Sequence, residues 1–248
     1  MKIGLFIPCF MNELYPEASM DTLTILENLG LDVVYPMEQT CCGQAQANTG
    51  CSHEASVLAK RFLKIFKNYD YVVAPSGSCV AMVRENYAQW LEGEEGFEHL
   101  KKNTYEITEF LYDIIKPENL KFNFSFPHKV SIHNSCHAHR ELHMASMSEK
   151  NEPEFSKIKT ILNLIEGIEL LEPSRKDECC GFGGTFAVSE EAVSTAMGID
   201  KVNDHIDTGA KFITGVDMSC LMHMQGLIDR QKLPIKTLHI VQILAGGK

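Results

Sequence analysis

The sequence contains no run of lysine and arginine, and its formal net charge is -10. That balance argues against nucleic acid or an anionic membrane as a partner. No apolar run approaches the roughly 18 residues a membrane span needs. At the start, MKIGLFIPCF, a short apolar run is broken by Pro8 and Cys9. It reads as a first β-strand and not as an export signal, so a cytoplasmic protein is expected. A dinucleotide fingerprint is missing too: GFGGTFA (181–187) comes nearest but has Phe186 at the last glycine position. There is no ferredoxin-type C-x2-C-x2-C-x3-C-P run. These absences leave no evident hydride acceptor, and so count against a self-sufficient dehydrogenase.

What remains is a chain of 248 residues with 44% hydrophobic and 23% charged residues, ordinary for a globular protein. The length suits one large domain or two of about 120 residues. Nine cysteines stand out: Cys9, Cys41, Cys42, Cys51, Cys79, Cys136, Cys179, Cys180 and Cys220. An odd number without an export signal makes a disulfide framework a poor expectation and favours metal or redox chemistry.

Eight of the nine fall into two equivalent sets. KIGLFIPC (2–9) matches KVSIHNSC (129–136), each a β-rich segment ending in cysteine. LDVVYP (31–36) and IELLEP (168–173) each lead within a few residues to Cys-Cys-Gly, in QTCCGQA (39–45) and DECCGFGG (177–184). YVVAPSGSC (71–79) then matches KFITGVDMSC (211–220). Cys9, Cys41, Cys42 and Cys79 therefore correspond to Cys136, Cys179, Cys180 and Cys220. Between the first and second cysteines lie 31 residues in one half and 42 in the other; between the third and fourth, 36 and 39. The surplus falls around 144–155, which reads as a loop or a lengthened helix.

The alternation of strand and helix predicts an α/β fold: two similar parallel-sheet α/β units related by an internal repeat, with pseudo-two-fold symmetry. The expected domains are 1–125 and 126–248, with the linker in 116–129. Leu58, Phe62, Ile65 and Phe66 in one helical segment, and Ile158, Ile161, Leu162 and Ile165 in another, are spaced as core positions. Ligands of open parallel sheets bind beyond the carboxyl ends of the strands, where the cysteines lie, so each half could gather four sulfurs in one crevice.

Four converging thiolates repel one another and are costly to bury without a metal. Structural zinc sites usually use two short Cys-x-x-Cys pairs, whereas here the ligands come as single, paired and single. An iron–sulfur cluster suits that spacing better, with each iron taking its own thiolate; zinc at one or both sites stays as the alternative. Adjacent cysteines point apart on an extended chain. Gly43 and Gly181 permit the sharp turn needed to aim both thiolates at one cluster, and their amides could donate to inorganic sulfides.

The repeated pattern Cys-x31-Cys-Cys-Gly-x35-Cys resembles the cysteine-rich CCG-domain family, which includes the cysteine-rich component of heterodisulfide reductase and the iron–sulfur component of glycolate oxidase. The resemblance covers nearly the whole chain. The length, GVDMSCLMH (215–223) and HNSCH (133–137) are most similar to the family's lactate-utilization branch. It implies an iron–sulfur electron-transfer subunit of an L-lactate dehydrogenase complex oxidising L-lactate to pyruvate, one [4Fe-4S] cluster per half, and two further subunits as partners, one of ferredoxin type. Peripheral membrane association stays open. A thiol–disulfide reductase subunit and a zinc-stabilised scaffold are the alternatives. The heterodisulfide enzyme's motif ends in Cys-x-x-Cys and supplies a fifth ligand to a non-cubane cluster. Here Ser76 and Asp217 stand at those positions, which points to a four-thiolate, cubane cluster. Asp217 is either an oxygen ligand or the cap of the helix that follows it.

Further candidates are His133, His137, His139 and His143, which crowd around Cys136 and could form a second metal site or a proton relay. His223 could tune the second cluster from beside it. Arg140 is either a carboxylate clamp or a solvated side chain. Cys51 is expected to be a buried small residue or a spare ligand.

Overall fold

The computed structural model describes residues 1–247. Eight short strands run β1 (Lys2–Leu5), β2 (Asp32–Val34), β3 (Tyr71–Ala74), β4 (Thr104–Glu106), β5 (Lys129–Ile132), β6 (Glu169–Leu171), β7 (Phe212–Gly215) and β8 (Lys236–His239). They form two four-stranded sheets, ordered β2-β1-β3-β4 and β6-β5-β7-β8, and every pairing is parallel. The central strands read as near-continuous apolar runs because helices cover both sheet faces.

The registers repeat as well as the order. Ile3 pairs with Tyr71 in one sheet and Val130 with Phe212 in the other. In each sheet the first strand has its successor on one side and the third strand on the other. The order of strand addition switches sides at that central pair, where an open parallel sheet leaves a crevice beyond its strand ends.

The two crevices face one another across the pseudo-two-fold axis. Ser76 and Asp217, each just past a central strand, form an antiparallel bridge, and the Gly77 N–H donates to the Val216 carbonyl at 3.3 Å. Gly77 has to be glycine, because a Cβ there would lie 2.5 Å from the Cβ of Ala138.

One apolar core runs through both halves. Helix Ser52–Phe66 buries Phe62 and Phe66, while Leu58 and Ile65 are half-buried. Ile158, Ile161, Leu162 and Ile165 are all buried. The halves also exchange packing. Helix Ile107–Phe110 of the first lies against Lys157–Leu162 of the second, and Ile240–Leu244 of the second lies against Pro16–Asn28 of the first. Lys157 joins Glu109 at 3.3 Å across this contact. Residues 144–155 are irregular, closed by a bridge between Ala145 and Ser156. After the short turn Pro117–Asn119 no regular element forms until Lys129.

Candidate metal centre

Each cysteine of a set reaches the crevice from a chain segment that leaves a strand. Cys9 opens helix Cys9–Leu14 and Cys136 opens helix Cys136–Arg140. Cys79 lies in helix Gly77–Ala81, and Cys220 in the first turn of helix Met218–Gln231. The strands themselves stop four or five residues earlier. The Cys-Cys-Gly pairs turn as the glycines allow: Gly43 has φ 84° and Gly181 φ 86°, the left-handed region that favours glycine. The Gly43 N–H donates to Cys41 Sγ at 3.3 Å, and the Gly181 N–H to Cys179 Sγ at 3.4 Å. These amides thus serve the first sulfur of their own pair.

The sulfurs form a chain of contacts in each half. Cys9 Sγ lies 3.8 Å from Cys41 Sγ, and Cys42 Sγ 3.4 Å from Cys79 Sγ; Cys41 also meets Cys42. In the second half Cys136 meets Cys179, Cys179 meets Cys180, and Cys180 meets Cys220. All nine cysteines are free thiols. Both quartets open into one cavity of about 120 Å³. Phe10 and Phe182 meet edge-on across its mouth, ring centres 5.8 Å apart.

The contacts concentrate charge on one sulfur per half. Hydrogen bonds from Cys42 and Cys9 hold the Cys41 thiol down at about 3, against burial and with help from the Gly43 amide. Donation from Cys136 and Cys180 holds Cys179 down at about 2. Their neighbours move the other way: Cys9 and Cys42 are pushed up, first by their hydrogen bonds to Cys41, and Cys136 and Cys180 first by theirs to Cys179. Each half therefore carries one ready thiolate, Cys41 or Cys179, flanked by two thiols held protonated.

Asp217 is not the cap of the helix that follows it. It precedes helix Met218–Gln231 but makes no capping bond to it. Its Oδ1 accepts from Ser76 Oγ at 2.9 Å, Ser78 N–H at 2.9 Å and Ser78 Oγ at 2.8 Å, and its Oδ2 from Ser135 Oγ. With 1% of its surface exposed, it caps the helix of the opposite half, the one carrying Cys79. Its lone pairs are spent on hydroxyls, not aimed at the thiols. Ser76 caps that same helix through its Oγ, which accepts from Cys79 N–H at 3.3 Å.

The four histidines of HNSCHAHRELH do not converge. His137 Nδ1 lies 2.5 Å from Glu141, His139 Nε2 2.7 Å from Asp177, and His143 Nε2 3.3 Å from Glu152. These three do not share a site, because each ring has its own carboxylate. His133 differs. It is 1% exposed, neither ring nitrogen has a hydrogen-bond partner, and it lies with Cys180 and Cys220 so that the ligand atoms of all three fall within 4.8 Å of one another. Burial, then the Lys201 charge, push it down to about 3, so the imidazole is neutral.

His223 bonds the Ser194 carbonyl at 3.3 Å and stacks near Phe182, 6.0 Å between ring centres. Arg140 is half-exposed and pairs with Glu149 at 2.8 Å, leaving the solvated reading. Cys51 is exposed, at the start of helix Ser52–Phe66 and outside the residues lining the cavity; the expectation of burial was wrong because the chain turns outward there before the helix begins. Two supporting residues escaped the sequence reading. Gln39 accepts from Ile7 N–H at 2.9 Å and donates to Leu5 O at 3.1 Å, fixing the exit from β1. The buried Tyr87 hydroxyl donates to Cys42 O at 2.8 Å. Gln39 lies within QTCCGQA itself, next to the motif, whereas nothing near Tyr87 announces its role.

The donor set fits a thiolate-bound metal group. It offers four sulfurs per half, an amide aimed at the ionised one, and an unpartnered imidazole in the second half. The Cys9–Cys41 spacing matches the edge of a tetrahedron around one ion, about 3.8 Å for metal–sulfur bonds of about 2.3 Å, and the Cys42–Cys79 spacing is shorter still. A cluster, whose thiolates bind separate irons, needs the quartet wider.

A family model described as "Cysteine-rich domain" (CCG) matches residues 3–84 and 130–225. The chain is 37% identical to lactate utilization protein A 1 of Bacillus mycoides (strain KBAB4), over 98% of this chain and 96% of that protein. It is 36% identical to lactate utilization protein A 2 of Bacillus cereus (strain Q1), over 100% and 99%. Among solved structures, a hypothetical protein from Helicobacter pylori superposes with a TM-score of 0.68 at 12% identity. That match covers 100% of this chain and spans about half (49%) of the other, and it speaks for the fold alone.

Proposed function

The chain belongs to the cysteine-rich CCG-domain family, and from that premise we propose that it is the iron–sulfur electron-transfer subunit of a system that oxidises L-lactate to pyruvate. Residues 1–125 and 126–248 form two domains, each holding one four-iron cluster: Cys9, Cys41, Cys42 and Cys79 in the first, Cys136, Cys179, Cys180 and Cys220 in the second. The observation that carries this reading is the convergence of both quartets on one cavity. When bound, such clusters accept and release single electrons. The chain's own contribution is to hold the sulfurs, to aim the Gly43 and Gly181 amides at charged thiolates, and to narrow the mouth with Phe10 and Phe182.

Lactate itself belongs elsewhere in this reading. Among the described residues lining the cavity there is no arginine or lysine, the side chains that clamp a carboxylate. Two partner subunits, one of ferredoxin type, complete the system, and the exposed Cys9 beside Phe10 marks the face that would meet them. The site of action is the cytoplasm.

Zinc is the second reading, favoured by the sulfur spacings of 3.4 and 3.8 Å. Anaerobic purification with iron, sulfide and zinc analysis decides between them. The expected result is a brown protein carrying iron and acid-labile sulfide for two clusters, with Cys79→Ser and Cys220→Ser each losing about half. Stoichiometric zinc without sulfide would overturn the cluster. Lactate oxidation by this chain alone, with an artificial acceptor, would overturn the division of labour.

A further inference from the structure

The internal repeat makes the two centres comparable residue by residue, and one of their differences sets a phenyl ring against an imidazole. Counting back from Cys9 and Cys136, Phe6 corresponds to His133. Phe6 belongs to an aromatic cluster, with ring centres 4.8 Å from Phe62 and 5.8 Å from Phe66. His133 instead lies 5.9 Å from the ring of His205, near the buried Lys201. The apolar backing of the first quartet is thus replaced by ionisable groups behind the second.

His205 has a partner in that replacement: its Nδ1 is 2.7 Å from Ser131 Oγ, and Ser131 stands where the first half has Gly4. His133 has none. Leaving a buried polar group unpaired forfeits its hydration with nothing in return, and such groups call for a partner. The backbone gives the ring little freedom to find another. The His133 N–H donates to Thr214 O at 2.7 Å, and its carbonyl lies so close to Gly215 that a Cβ there would come within 2.8 Å. What the ring does face is the pair Cys180 and Cys220.

We propose that the second-half centre takes an imidazole nitrogen of His133 as a donor beside its thiolates, whereas the first-half centre is bound by thiolates alone. The inference rests on the reading of the quartets as metal centres, but not on which metal fills them. Asp217, at the position vacated by a cysteine, is engaged by serines; the extra donor comes from the end of β5 instead. Ligand type and net charge set the potential of an iron–sulfur centre, so an imidazole donor present at one centre and missing at the other makes their potentials unequal.

The test uses the whole chain, reconstituted anaerobically with iron and sulfide in one arm and with Co²⁺ alone in the other. Pulsed EPR of partly reduced wild-type protein is expected to show one histidine nitrogen coupling, altered by ¹⁵N-histidine labelling. That measurement needs no variant. His133→Phe, which installs the first half's residue, is expected to abolish the coupling, shift only one of the two potentials, and speed metal loss to a chelator from the second site by roughly 10-fold or more. In the cobalt arm the variant is expected to shift the visible bands of one equivalent. Iron bound at both sites with no nitrogen coupling in the wild type would overturn the inference and leave the cluster reading intact. Failure to bind iron and sulfide would overturn the cluster reading, and the cobalt arm then decides: identical wild-type and variant spectra there refute His133 as a donor.

Discussion

Replacing Asp217 with alanine separates two accounts of how the halves hold together. As an ordinary cap of its own helix, Asp217 would be worth about 1 kcal/mol. Its observed bonds predict more. Hydrogen bonds to a charged acceptor contribute about 1.5–3 kcal/mol each, and three of those at Oδ1 come from the other half. They share one oxygen and are not additive. Ser76 and Ser78 hydroxyls, 3.3 Å apart, can also turn to each other once the carboxylate is gone. Allowing for both, Asp217→Ala should lose about 3–5 kcal/mol, in line with the breaking of a buried charged network. Urea unfolding of the metal-free protein measures this directly. The second readout is location. Asp217 lies in the second half but caps the helix bearing Cys79, so the variant should lower metal content at the first site as well as the second. A loss near 1 kcal/mol, or metal lost from the second site only, would refute the cross-half clamp.

The two motif glycines should differ in tolerance: Gly43→Ala meets only ordinary contacts from 3.4 Å and should cost about 1 kcal/mol for its left-handed backbone, whereas Gly181→Ala collides with Met197 Cβ and Ser194 O at 2.7 Å and should cost more. Thermal denaturation of the pair checks the order, and equal costs would contradict it. Acid should destabilise the metal-free protein, because burial holds His205 down at about 2 and His239 at about 4. Their stabilisation is complete above the unfolded value of about 6.5 and is lost as pH falls toward the folded values, at up to about 3 kcal/mol per pH unit for two protons. His137, raised first by its bond to Glu141, acts in the window above about 6.5, so the test is confined to lower pH: a flat urea midpoint between about pH 6.5 and 5 would refute the reasoning. Cys51→Ser should leave metal content at both sites unchanged, as read by metal analysis, since Cys51 is exposed and away from the cavity.

The repeat was legible because it is written in covalent spacing. Matching KIGLFIPC to KVSIHNSC, and the two Cys-Cys-Gly turns to each other, led to paired parallel sheets and to the residues that gather in each crevice. Phe62, Phe66, Ile158, Ile161 and Leu162 were readable as core for the same reason, since helical period and burial coincide there. Contacts across the axis were not readable. Asp217 looks like a helix cap from its place before Met218, and only the opposing half reveals that its oxygens face Ser76, Ser78 and Ser135. The histidine cluster misled in the opposite direction: proximity along the chain put four rings in one group, and separate carboxylates at 141, 152 and 177 pulled three of them apart. Cys51 carried no periodic signal, and its exposure follows from the turn at Gly50, whose φ is 80°.

The exchanged helices have a consequence for how the molecule is made. Helix Pro16–Asn28 is made before its packing partner, Ile240–Leu244, which follows all the strands of the second sheet. Domains usually fold as units from the N-terminus during synthesis, but here the first half lacks one of its packing partners until the second half has been made. The loop to be closed spans almost the entire chain, although closure entropy grows only slowly with length. Loading of the first quartet is thereby tied to completion of the second: a truncated nascent chain contains all four of its cysteines but lacks the surface against which their half is braced.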